Sequence, residues 1–219
     1  MFGTKLLNLD FEKHDMTEIN WVKCTTGRLS SEERKCDSDK RQCLQSNDPI
    51  NFDHIMSEKD RNTINDAVKL IVLSCDYKIY DSKYVKNSFV GVDWTLLKYE
   101  ENGFFAKHVD KKLKDSHIGT VLLIPPTSMY EFTGGVLTVW HDDPDDYWDD
   151  SIKTEILPDD TKWKLVVFEL DAYHKADPVL TGTRYVYKSI LRYAYIREKQ
   201  ERKARDLERG YSSEEGLCD

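Results

Sequence analysis

Long apolar runs, an excess of basic charge and paired cysteines are all missing from this 219-residue chain. No apolar run exceeds about four residues (70–73, 121–124, 165–168), whereas a helix crossing a bilayer needs about twenty. Residues 1–15 lack the basic stretch and apolar core of a signal peptide. The five cysteines (24, 36, 43, 75, 218) are odd in number and contain no CxxC pair, which argues against a zinc ribbon or a disulfide framework. They read as buried or incidental thiols of a protein in a reducing, cytoplasmic compartment. With 32 Lys and Arg against 40 Asp and Glu, the net charge is −8, which argues against affinity for duplex nucleic acid.

What is present is aromatic. Five Trp, twelve Tyr and eight Phe are too many for a disordered chain, although 33% of residues are charged. The length suits one domain, 1–219, in three parts: residues 1–88, 89–196 and 197–219. Two short strands are predicted near 6–11 and 19–24. Residues 27–48 are poor in large apolar side chains and read as a solvated excursion. A helix is predicted over 58–75, started by Ser57 with Asp60 three residues on. Its apolar face is Ile64, Ala67, Val68, Ile71 and Cys75. From residue 89 the period changes, and strands are predicted at 92–99, 104–109, 118–124, 134–140, 163–170 and 183–196. Short strands without intervening helices point to an antiparallel sandwich or barrel. Residues 197–209, with six Lys or Arg and four Asp or Glu, read as a charged C-terminal helix.

Two His-x-Asp triplets occur, at His108 to Asp110 and at His141 to Asp143, where chance alone gives about 0.7 among 6 His and 25 Asp. Residues i and i+2 of a strand share a face, so such a triplet can grip one metal ion. His108 and Asp110 close a strand-like segment, and His174 lies 66 residues on, with Arg184 ten residues beyond it. His141 sits instead in an Asp-rich loop. Two imidazoles and one carboxylate leave three metal positions open, the arrangement suited to Fe(II) and dioxygen. A bidentate 2-oxo acid can fill two of them, and a far carboxylate then needs a fixed cation. Arg184 shares its strand face with Val186 and Ile190, a costly place for an Arg without an anionic partner.

Together these residues resemble the prolyl-4-hydroxylase-like branch of the Fe(II)/2-oxoglutarate-dependent dioxygenases. The resemblance spans about 94–192 and rests on Tyr99, Gly103, His108-x-Asp110, Gly134-Gly135, and His174 followed by Val179, Gly182 and Arg184. It implies a mainly β (α+β) fold, a double-stranded β-helix or jelly roll, with 58–75 as a supporting helix. It implies that His108, Asp110 and His174 bind Fe(II) and that Arg184 pairs with the C5 carboxylate of 2-oxoglutarate. Tyr99 and Thr120 are expected to hydrogen-bond that cosubstrate, and ascorbate is a possible further cofactor. The implied reaction hydroxylates an unactivated C–H bond, on a protein or peptide side chain such as Pro or Lys, with release of succinate and CO2. The alternatives are a small-molecule hydroxylase of the same class and a non-catalytic jelly-roll binding module. The acidic, aromatic segment 141–150 is a candidate contact for a cationic substrate, weighed against a plain solvated loop. His117 reads as a surface residue rather than a ligand. No membrane partner is expected.

Overall fold

The central strands are apolar on both faces, and that dictates their position. In the computed structural model, which describes residues 2–11, 16–24, 41–74, 88–90, 93–110, 117–140 and 153–193, His117–Ile124 and Trp163–Glu169 bury nearly every side chain. Strands of this kind need hydrogen-bonded neighbours on both sides and cover on both faces.

In chain order the strands are β1 (Phe2–Leu7), β2 (Trp21–Lys23), β3 (Arg41–Gln42), β4 (Leu44–Ser46), β5 (Ile50–Asn51) and β6 (Ser88–Val90). They continue as β7 (Asp93–Tyr99), β8 (Phe104–His108), β9 (His117–Ile124), β10 (Thr133–Gly134) and β11 (Leu137–Trp140). The last are β12 (Lys153–Ile156), β13 (Trp163–Glu169), β14 (His174–Ala176), β15 (Val179–Thr181) and β16 (Arg184–Tyr193). The helices are α1 (Phe52–Ile55), α2 (Glu58–Ser74) and α3 (Thr127–Tyr130). Every strand pairing is antiparallel. The larger sheet runs β1-β13-β9-β16-β7-β4-β2, and the smaller runs β12-β11-β14-β8-β3. The two sheets face one another across the core, which is the jelly-roll architecture the motifs implied.

Along β16 the alternation of the pleat sorts the side chains. Arg184, Val186 and Lys188 face the smaller sheet across a cavity. Tyr187 faces outward into an aromatic cluster, with its ring 5.9 Å from Phe11, 5.4 Å from Phe52 and 6.0 Å from Trp163. Phe52 in turn stacks on Trp94 at 4.4 Å. Helix α2 lays Ile64, Ala67, Val68, Ile71 and Val72 against this side of the larger sheet. Its start is capped as the spacing implied: the Asp60 N–H donates to Ser57 Oγ at 3.1 Å, and Ser57 Oγ donates to Asp60 Oδ2 at 2.9 Å.

Several expectations shift. The first strand is Phe2–Leu7 rather than 6–11, because its partner β13 pairs Phe2 with Phe168 and Leu7 with Trp163. Phe11 then leaves the sheet and fills the aromatic cluster. The segment 134–140 is not one strand. Gly134 (φ 77°) and Gly135 (φ 66°) take left-handed conformations that interrupt the pleat between β10 and β11. Part of the supposed excursion is sheet: residues 41–46 form β3, which extends the smaller sheet beside β8, and β4, which pairs with β7. His117 is buried at 6% exposure rather than on the surface. Cys75, the acidic segment 141–150, residues 27–40 of the excursion and the charged C-terminal stretch lie outside the described residues. No helix among the described residues is long and apolar enough to cross a membrane.

Candidate metal and cosubstrate site

The pairing of β8 with β14 sets His108 directly opposite His174, so two histidines 66 residues apart meet across one rung of sheet. Their ring centroids are 4.1 Å apart. Asp110 follows β8 by two residues, and its Oδ2 lies 3.8 Å from His174 Nε2. One ligand atom from each of His108, Asp110 and His174 falls within 4.8 Å of the others, the only such group among the described residues.

The imidazoles are held from behind. His108 Nδ1 lies 2.8 Å from the Ala106 carbonyl and His174 Nδ1 lies 3.0 Å from that of Ala172. An accepting carbonyl fixes the proton on Nδ1, so Nε2 of each ring carries the free lone pair. Phe105 stacks on His108 at 3.4 Å and Phe168 packs against His174 at 4.6 Å. Burial, with the neighbouring His174 second, pulls the His108 pKa down to about 3, and burial also lowers His174. Both rings are therefore neutral at pH 7, the form that binds metal. His108 Nε2 is buried and makes no hydrogen bond, which a metal ion would remedy.

Burial pushes Asp110 upward, but the Lys188 charge, His174 and the hydrogen bonds from Lys188 and Thr120 together outweigh this and hold its carboxyl well below the usual carboxylate range. Lys188 Nζ sits 2.5 Å from Oδ1 and Thr120 Oγ1 donates to Oδ2 at 2.5 Å. The carboxylate is thus ionised and oriented, with Oδ2 turned to the histidines. Thr120 contacts the aspartate directly.

Arg184 lies in the same cavity and is only 1% exposed. Its Nε has no hydrogen-bond partner, and no carboxylate among the described residues pairs with it. Its guanidinium lies 5.5 Å from the Tyr99 ring centroid, and β7–β16 pairing sets Arg184 directly opposite Tyr99. Burial draws the Arg184 pKa down, with Tyr99 opposing. Gly135 explains the glycine pair of the motif: a Cβ there would stand 2.7 Å from Arg184 Cδ. The cavity wall is otherwise apolar, with Leu97, Leu122, Leu137 and Val186. As it stands the cavity measures about 30 Å3, room for about two waters.

Two wall residues were missed from the sequence. Lys188 is four residues from Arg184 and therefore on its face, a signal that strand parity alone supplies. Arg41 sits in the segment read as solvated, yet its guanidinium lies 4.2 Å from the Phe105 ring centroid and lines the cavity. Nothing local marks it, because only β3–β8 pairing brings it there.

The site fits Fe(II) with a dianionic cosubstrate: two neutral imidazoles, one ionised carboxylate, and an unpaired buried cation on the opposite sheet. Part of the chain also matches a known family. A model of the 2OG-Fe(II) oxygenase superfamily matches residues 94–192. Among solved structures, an oxidoreductase of the 2OG-Fe(II) oxygenase family from Burkholderia pseudomallei shares 10% identity over 80% of this chain and 74% of its own (TM-score 0.49). A Pseudomonas putida prolyl-4-hydroxylase shares 15% identity over 71% and 75% (TM-score 0.44). A Trichoplax adhaerens prolyl hydroxylase, in complex with a peptide fragment of the hypoxia inducible factor oxygen degradation domain, shares 17% identity over 77% and 70% (TM-score 0.48). No protein of curated function matches. Residues 94–192, which hold both histidines, the aspartate and Arg184, match the model of the 2OG-Fe(II) oxygenase superfamily, whose dioxygenases use Fe(II) and 2-oxoglutarate.

Proposed function

We propose that His108, Asp110 and His174 hold Fe(II), that Arg184 anchors the C5 carboxylate of 2-oxoglutarate, and that the protein hydroxylates a peptide side chain, Pro or Lys. The observation that carries this reading is the convergence of three metal-ligand atoms within 4.8 Å in one cavity with a buried Arg184 that pairs with no carboxylate among the described residues. When bound, the iron and its cosubstrate supply oxidative decarboxylation, giving succinate and CO2, coupled to insertion of oxygen into a C–H bond.

The chain's own residues have distinct tasks. Arg184 offers a planar, two-pronged donor to a carboxylate, a match that Lys cannot reproduce. The Tyr99 ring lies 5.5 Å from its guanidinium on the same cavity wall. Lys188 and Thr120 keep Asp110 ionised and in one rotamer, while the Ala106 and Ala172 carbonyls keep each Nε2 aimed at the metal. Leu97, Leu122, Leu137 and Val186 exclude water. A cavity of about 30 Å3 is smaller than 2-oxoglutarate, so the long wall side chain of Arg41 must shift when the cosubstrate enters. The peptide substrate rests on the likeness of the His108-x-Asp110…His174…Arg184 pattern to prolyl-4-hydroxylase-like enzymes.

The test is an anaerobic titration of metal-free protein with Fe(II) and then 2-oxoglutarate, following the visible charge-transfer band. The expected result is a band at one iron per chain that is absent in His108→Ala. In Arg184→Ala, iron still binds and 2-oxoglutarate binds weakly. No band and no tight iron binding would overturn the assignment, as would equal loss of iron in both variants. A peptide array with mass detection then addresses the substrate: one added oxygen on a peptide supports the reading, and turnover only with free amino acids refutes the peptide.

A further inference from the structure

Cys24 and Cys43 bracket the polar stretch 25–42, and the sheet brings them face to face. In β2–β4 pairing, Lys23 stands opposite Leu44, so the next rung pairs Cys24 with Cys43. The Cys24 N–H donates to the Cys43 carbonyl at 3.1 Å, which makes this a hydrogen-bonded rung. Such rungs hold Cα atoms about 5.5 Å apart, within the range a disulfide spans. The two sulfurs are 2.7 Å apart, closer than two thiols in van der Waals contact, with no disulfide joining them.

The surroundings are built for thiol chemistry. Arg41 Nε donates to Cys43 Sγ at 3.0 Å, and the Tyr99 hydroxyl also hydrogen-bonds that sulfur. Contact with Cys24, and then the Arg41 charge against burial, brings the Cys43 thiol down to about 7. Cys43 lines a cavity of about 450 Å3 with Lys23 and Lys98 on its wall, which admits a small oxidant. Cys24 is only 1% exposed and lies behind it. Arg41 lines both this cavity and the one that holds Arg184 and the histidines.

We propose that Cys24 and Cys43 are a reversible dithiol–disulfide pair, oxidised by hydrogen peroxide, whose state controls where Arg41 points and so how well the neighbouring cavity binds 2-oxoglutarate. Cys43 thiolate attacks peroxide: an S–O bond forms, the O–O bond breaks, and the departing hydroxide takes the thiol proton as water, leaving a sulfenic acid. Cys24 sulfur then attacks the Cys43 sulfur, the S–S bond forms, the S–O bond breaks, and the second hydroxide leaves with the Cys24 proton as water. Two thiols lose two electrons, and one peroxide becomes two waters. In the disulfide, Cys43 no longer offers Arg41 a thiolate acceptor. The affinity consequence rests on the cosubstrate site proposed above; the disulfide itself does not.

The experiment treats the full, reduced chain with hydrogen peroxide and maps its peptides without reductant. The expected product is one Cys24–Cys43 linked peptide, lighter by two hydrogens and reversed by dithiothreitol. In Cys24→Ser it gives way to over-oxidised Cys43, and in Arg41→Met it forms several-fold more slowly. Oxidation with no link, or links from Cys43 only to Cys36, Cys75 or Cys218, overturns the pair. Calorimetry of Mn(II)-loaded protein then compares 2-oxoglutarate affinity before and after oxidation. A several-fold change in wild type that is absent in Cys24→Ser supports the coupling, and an unchanged affinity in the linked protein overturns it. If neither redox form binds 2-oxoglutarate while the link still forms, the cosubstrate assignment fails and the thiol pair stands.

Discussion

Replacing Arg184 by Met should act in opposite directions on the empty and the loaded protein. Arg184 is 1% exposed and pairs with no carboxylate among the described residues. A buried charge without a partner costs several kcal/mol. Only part is returned by the Tyr99 ring, 5.5 Å away, at about 0.5–2 kcal/mol. Met keeps the aliphatic stem that packs beside Gly135 and removes the charge, so the empty protein should gain about 1–3 kcal/mol. For a chain of this length, 1 kcal/mol moves Tm by about 2–4 °C, so metal-loaded Arg184→Met should melt about 2–12 °C above wild type when no 2-oxoglutarate is present. Adding 2-oxoglutarate reverses the order. At a thousand times its Kd the ligand stabilises wild type by about 4.1 kcal/mol, more than the variant's lead, whereas the variant should gain almost nothing. The assay is thermal unfolding of Mn(II)-loaded protein across a 2-oxoglutarate series. A variant less stable than wild type when empty would show that the cation already has a satisfying partner, and one that the ligand still stabilises would show that the anchor lies elsewhere.

Gly135→Ala places a methyl 2.7 Å from Arg184 Cδ on a backbone with φ 66°; it should cost about 1–3 kcal/mol of stability and raise the KM for 2-oxoglutarate more than it lowers kcat, as steady-state kinetics would read. Lys188→Met leaves Asp110 to burial, which raises its pKa. A carboxyl held low when folded lends stability above the unfolded value, about 3.9, that is lost as pH falls; the variant lacks that contribution, so its deficit against wild type should be largest at pH 7 and shrink towards pH 3, seen in urea unfolding of metal-free protein. Cys43 reacts as a thiolate, so its alkylation by iodoacetamide should rise with pH around a midpoint near 7, and Arg41→Met should move that midpoint up. Ser57→Ala removes the acceptor of the Asp60 N–H and should destabilise the chain by about 0.5–2 kcal/mol without changing iron binding.

Much of the site was legible because its residues obey spacings that strand geometry imposes. His108 and Asp110 sit two apart on one face, and an Arg among apolar neighbours on β16 announces a missing anion. Strands β7, β8, β9, β13 and β16 stood out through their β-branched and aromatic content. The helix start at Ser57 was equally readable, since a cap is a contact between residues three apart. Arg41, Lys188's grip on Asp110 and the Cys24–Cys43 rung were not legible. Each depends on a partner 19 to 78 residues away in sequence. Polar, short segments such as 41–46 look like loop until a sheet edge recruits them.

The order of residues alone therefore determined the kind of chemistry: which side chains share a face, which carry lone pairs or charge, and that the core is a sandwich of short strands. Those properties follow from periodicity and side-chain identity, which are local. The tertiary structure decided which face meets which. Antiparallel register set His108 opposite His174 and Arg184 opposite Tyr99, and it put Arg41 between two cavities and Cys43 against Cys24. Register is settled by the whole sheet burying its apolar face at once, and no single segment carries that information.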